Sequence, residues 1–82
     1  MILGALDVET VSSGSIEDGK FRYSGRWYLT AAVEGADGIM MLETLRASSS
    51  RILQKKYMLA TRQVFIRTVA STSGTFSEWK EL

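Results

Sequence analysis

Apolar and polar residues alternate in short runs along this chain, and glycine, serine and Asp-Gly pairs interrupt them at regular intervals. Arg26-Trp27-Tyr28-Leu29-Thr30-Ala31-Ala32-Val33 is rich in aromatic and β-branched residues and closes on Gly35-Ala36-Asp37-Gly38, which predicts a strand and a turn. In Val64-Phe65-Ile66-Arg67-Thr68-Val69, Val64, Ile66 and Thr68 share one strand face and Phe65, Arg67 and Val69 the other. Apolar residues on both faces predict that both are covered. A Ser/Thr/Gly turn then leads into Gly74-Thr75-Phe76-Ser77-Glu78-Trp79-Lys80-Glu81-Leu82, so the two runs are expected to pair as a terminal hairpin that closes the fold. Upstream, Asp18-Gly19 between Ile16 and Phe21-Arg22-Tyr23 carries the signal of a two-residue hairpin turn. Ser12-Ser13-Gly14-Ser15 is a soft break before it.

Residues 39–60 fit two readings. As strands they divide into 39–46, a Ser48-Ser49-Ser50 turn, and 51–59, with Leu53 and Tyr57 on one face. As a helix, Met41, Leu45, Ile52 and Leu59 fall near heptad spacing, among good helix formers. Three consecutive serines oppose one unbroken helix, because their hydroxyls compete for backbone hydrogen bonds. The expected fold class is all-β: a small antiparallel meander of five or six short strands, as a sheet or open barrel, with room for a short helix. Residues 1–20 are a lead segment, either a first strand or a contact to a fibre or linker, and 21–82 form the β domain.

Size changes this picture. Eighty-two residues make one domain that buries only about 60% of its unfolded surface. The sequence has no cysteine to staple that thin core, which favours a homo-oligomer. It also has no histidine, the commonest general base and metal ligand. A net charge of +1 gives no electrostatic handle for nucleic acid, and the basic residues Arg51, Lys55, Lys56 and Arg62 read as solvated positions. No segment is apolar and long enough to insert as a membrane helix. Met1-Ile2-Leu3-Gly4-Ala5-Leu6 lacks the basic start of a signal peptide, so any export is expected by another route, such as release on lysis.

The arrangement hydrophobic-Arg-Thr, turn, Gly74-Thr75-Phe76-Ser77-Glu78-Trp79-Lys80-Glu81-Leu82 resembles the C-terminal signature of phage tail-fibre and pyocin knob-type domains. Three earlier segments are similar to the strands of that family: Ser24-Gly25-Arg26-Trp27-Tyr28-Leu29-Thr30, Met41-Leu42-Glu43-Thr44-Leu45-Arg46, and Ile52-Leu53-Gln54. The resemblance covers residues 22–82 and is specific in the last hairpin, where Phe76 stands in place of the family's tryptophan. It implies strands over 39–60, a knob-like domain over 21–82, and Arg67, Gly74, Phe76 and Trp79 as the structural signature. It further implies a non-enzymatic, homotrimeric component of the virion tail, assembled in the bacterial cytoplasm. Such a component would attach to host polysaccharide or lipopolysaccharide through weak sites multiplied by valency.

Weighed singly, Trp79 is expected to plug the thin core rather than face a sugar. Arg67 is expected to stack on an aromatic or pair with Glu78 or Glu81. Trp27 and Tyr28 point to opposite faces, one to the core and one outward. The candidate receptor contacts are Asp37, Ser48, Ser49, Ser50, Arg51 and Trp27, because recognition concentrates in loops on a rigid sheet. No catalytic group, cofactor or metal is assigned. The acids Glu17, Asp18, Glu34, Asp37, Glu78 and Glu81 could form carboxylate pairs, but such pairs occur on most soluble proteins. No serine has a histidine to activate it, and no Ser-Lys spacing replaces one. The alternatives are a small self-associating prophage or bacterial protein without a sugar ligand, and a carbohydrate-binding accessory domain of a hydrolase.

Overall fold

The computed structural model describes residues 8–69 and 74–82. Among them, six strands form one sheet in chain order: β1 (Val8–Val11), β2 (Gly25–Leu29), β3 (Met40–Ser48), β4 (Arg51–Met58), β5 (Gln63–Val69) and β6 (Lys80–Glu81). The sheet is open and mixed. Strands β2 to β6 run antiparallel to their neighbours, as the alternation predicts, but β1 lies parallel to β2. A parallel neighbour requires a crossover rather than a tight turn. Residues 12–24 supply it, and this explains a departure at Asp18-Gly19. Where the sequence predicts a two-residue hairpin, the chain forms a one-turn 3-10 helix, Gly19–Arg22. The Asp18 carboxylate turns back to accept the Ser15 N–H at 3.0 Å, and Phe21 goes inward, fully buried.

Residues 39–60 are strands, not a helix. Ser49 and Ser50 make the β3–β4 turn, and a bulge between Arg46 and Ser48 bends the end of β3. The second Asp-Gly does act as a left-handed corner, with φ of 57° at Asp37 and 116° at Gly38. The last hairpin is looser than predicted. Only Phe65–Glu81 and Ile66–Lys80 pair in the ladder, while Ser77 N–H reaches Thr68 O at 2.9 Å without strand geometry between. Its turn, like Met1 to Asp7 of the lead segment, lies outside the described residues.

Register places one row of side chains on the inner face: Trp27 and Leu29 on β2, Met40, Leu42 and Thr44 on β3, Ile52, Gln54 and Lys56 on β4, and Arg67 and Val69 on β5. Three segments cover that face. The crossover contributes Ile16 and Phe21, the β2–β3 connection contributes Val33 and Ala36, and the strap 74–79 contributes Phe76 and Trp79. Phe21 meets Trp27 edge to face with centroids 5.0 Å apart. The outer face has no covering element among the described residues. Met41, Leu45 and Leu59 are exposed there, and Tyr28, Leu53, Tyr57, Val64 and Ile66 are half-buried.

Candidate functional site

Two groups of side chains carry chemistry beyond hydrophobic packing. The first lies on the inner face. Gln54 is fully buried, and its amide donates to Phe21 O at 2.8 Å and to Thr44 Oγ1 at 3.2 Å. Thr44 Oγ1 donates to the same Phe21 carbonyl at 2.7 Å. Arg67 Nε donates to Gln54 Oε1 at 2.8 Å, and the two terminal nitrogens of Arg67 hold Glu17 at 3.0 and 3.3 Å. The guanidinium also stacks between rings, 4.1 Å from Phe76 and 4.3 Å from Trp79. Lys56 repeats the theme with Nζ 4.6 Å from Trp79, 5.0 Å from Phe65 and 3.7 Å from the Asp37 carboxylate.

Burying a guanidinium and an ammonium costs several kcal/mol apiece unless hydrogen bonds and charge offset it. Here aromatic faces, an amide oxygen and the exposed carboxylates of Glu17 and Asp37 do so together. No buried side-chain nitrogen or oxygen among the described residues lacks a partner. The cluster is thus a closed lock that ties the crossover, three strands and the strap together. It gathers Arg67, Phe76 and Trp79 of the predicted signature, and Gly74 joins through its carbonyl, which accepts Arg22 Nη2 at 2.6 Å. The predicted stacking of Arg67 is present, but its acid is Glu17 rather than Glu78 or Glu81. The crossover lays Glu17 over β5, while Glu81 accepts a hydrogen bond from Gln63 at 3.2 Å.

The second group surrounds the β3–β4 turn at one end of the sheet. Ser48, Ser49 and Arg51 are exposed and Ser50 is half-buried. Arg46 stacks on Tyr23 at 4.3 Å, donates from Nη1 to Arg22 O at 3.2 Å, and receives support from Ser24, whose Oγ accepts the Arg46 N–H at 2.9 Å. Tyr23 itself is 60% exposed. A shallow depression of about 570 Å³ adjoins these groups, lined by Ser24, Leu45, Arg46, Arg51, Leu53 and Thr68 among others.

The remaining predicted contacts lie elsewhere. Asp37 sits before β3, so a nine-residue strand separates it from the serine turn, roughly 27 Å. Trp27 is only 7% exposed and belongs to the core, because its register faces Leu42 and its ring meets Phe21. Tyr28 takes the outward position. Trp27 also lines a second depression of about 210 Å³ with Val8, Arg26, Met41, Glu43 and Tyr57. In that second depression Tyr57 donates to Glu43 at 2.9 Å, and burial, followed by this carboxylate, pushes its hydroxyl above the ordinary value of 10.0.

Sequence reasoning missed Glu17, Tyr23, Arg22, Arg46 and Lys56. The legible signal was Gln54 and Lys56 at alternate positions with Ile52, two polar residues in an inward row. Arg46 and Tyr23 meet only through the crossover, which no local pattern reveals.

No protein-family model and no curated protein sequence matches the chain. Among solved structures, a fragment of the Pseudomonas aeruginosa R1 pyocin fibre, comprising C-terminal residues of that protein, superimposes with a TM-score of 0.73 at 20% identity. The match covers 93% of this chain and 21% of that one, so the chain spans about a fifth of its neighbour's length. At this identity the likeness concerns architecture: a six-stranded open sheet strapped on one face has the fold of a segment of the R1 pyocin fibre.

Proposed function

We propose that the chain is a non-enzymatic structural domain of a phage- or pyocin-type tail fibre, that it works as a homotrimer in the virion tail, and that it takes part in attachment to bacterial surface glycan. The fold likeness to a pyocin fibre carries this reading. The outer face, which no described residue covers, supports the oligomer. On that face Tyr28, Met41, Tyr57 and Val64 form one apolar row across four strands. The adjoining row holds Arg26, Glu43 and Lys55, and Arg26 pairs with Glu43 at 3.0 Å. A surface with an apolar row beside charges of both signs suits contact with another copy of this chain, each such face meeting a different patch of the next copy in a closed three-fold ring. The occupant is therefore a second and third copy of this chain. Light scattering at several concentrations tests it: a trimer supports the reading, and a monomer throughout contradicts it.

The same face gives a second reading, a self-associating protein without a sugar ligand. A glycan array separates the two, since only the fibre reading expects retained sugars. Attachment resides best at the serine turn, where exposed hydroxyls stand on the β3–β4 hairpin and Arg46 of that hairpin stacks on the exposed ring of Tyr23 from the crossover.

A further inference from the structure

Four ion pairs join described residues: Lys20–Glu9, Arg26–Glu43, Lys56–Asp37 and Arg67–Glu17. The other cations are Arg22, Arg46 and Arg51 at the serine-turn end, and Lys55, Arg62 and Lys80 elsewhere on the sheet. At the serine-turn end, Arg22, Arg46 and Arg51 have no carboxylate within 4.0 Å among the described residues. Arg22 and Arg46 are held by distant parts of the chain, whereas Arg51 is exposed on the turn side. Arg22 is fixed by the Gly74 carbonyl at 2.6 Å and lies 4.9 Å from the Phe76 ring. Arg46 is fixed by the Arg22 carbonyl and the Tyr23 ring, and Arg51 Nη1 donates to Ser50 O at 3.0 Å. Each guanidinium has five N–H donors and these contacts occupy few of them. Held guanidiniums without counter-charge are pre-organised to accept an anion by paired hydrogen bonds.

Tyr23 adds the second component. Arg46 covers one face of its ring while the residue stays 60% exposed, leaving aromatic surface beside the cations. Ser48 and Ser49 add exposed hydroxyls on the neighbouring turn. An aromatic platform, hydroxyl groups and guanidiniums at one edge match a sugar ring that carries a negative group. We infer that the Tyr23–Arg46–Arg51 edge binds an anionic sugar residue, phosphorylated or uronic, of a surface glycan. The inference rests on the attachment reading above and specifies its ligand class.

The test uses the full 82-residue chain and backbone-amide NMR shifts on titration with mannose 6-phosphate, glucuronate, mannose and inorganic phosphate. The anionic sugars move the signals of Tyr23, Arg46 and Arg51. Mannose and inorganic phosphate each bind about tenfold more weakly, since each lacks one component. Arg46→Gln weakens binding of the anionic sugars about tenfold, and Arg51→Gln, on the exposed turn, does so severalfold without touching the core. Arg62→Gln, in the exposed β4–β5 turn at the opposite end of the sheet, leaves it unchanged. Equal binding of inorganic phosphate and mannose 6-phosphate overturns the proposal, as does tighter binding of an oligothymidine than of either sugar. Insensitivity of a folded Arg51→Gln together with Arg46→Gln overturns it too. Light scattering on the same samples reads the association state separately, so loss of the trimer and loss of the ligand are distinguishable.

Discussion

Arg67 is the residue on which most of the inner face converges. Its side chain is 6% exposed, yet Glu17 opposite it is 60% exposed. That asymmetry decides the outcome of mutation. Arg67→Ala removes two ring stacks and leaves Gln54 Oε1 buried without its donor, so a loss of about 3 kcal/mol in urea unfolding is expected. Glu17→Gln leaves the arginine its amide partner and its rings, and solvent already screens the lost charge, so about 1 kcal/mol or less is expected. Equal losses for the two variants would contradict the account. Tyr57 gives a second residue-scale prediction. Its folded phenol holds the proton more tightly than the unfolded one, whose ordinary value is 10.0. Its contribution is fully present below pH 10 and is lost as pH rises through the folded value. Alkaline titration of stability should therefore fall above about pH 10, and Tyr57→Phe should flatten that fall. These residues were legible to different degrees. The stacking of Arg67 followed from its strand and the aromatic strap after it, whereas Glu17 came from a crossover whose path no alternation encodes.

At the scale of elements, the strap over residues 74–82 is the least regular part of the described chain. Two ladder positions, the Ser77–Thr68 contact and the Leu82–Val64 hydrogen bond at 2.8 Å hold its backbone. Its two rings add contacts to Arg22, Arg67 and Lys56, and Arg22 also holds the Gly74 carbonyl. Trp79→Ala should cost about 2 kcal/mol, below the range for a fully buried tryptophan because Trp79 is half-buried. The strap amides should then exchange with solvent well before those of β3 and β4. Uniform loss of protection across all strands would show that strap and sheet are one cooperative unit instead. Strands β2 to β5 could be read from the chain because their alternation and turns are local. The helical reading of 39–60 failed because its heptad matches ignored Leu42, Thr44 and Gln54, which fall on a two-residue period facing the core. The parallel pairing of β1 was not legible, since a four-residue strand carries no sign of its direction.

For the whole molecule, a sheet strapped on one face and uncovered on the other among the described residues is an incomplete solvent shield. Small open sheets of this kind gain stability by pairing or covering what they expose. Thin cores and absent disulfides made an oligomer an expectation from the sequence, while the place of the proposed interface rests on the register that aligns Tyr28, Met41, Tyr57 and Val64. Met41→Glu puts a new charge in the centre of that row without entering the core. It should yield a folded monomer with unchanged far-ultraviolet circular dichroism. Multi-angle light scattering of the unmodified chain is the most direct measurement: the account predicts a species of three times the 9.1 kDa chain mass, reduced to a single chain mass by Met41→Glu. A wild-type chain that stays monomeric at every concentration, or a trimer untouched by Met41→Glu, would contradict it.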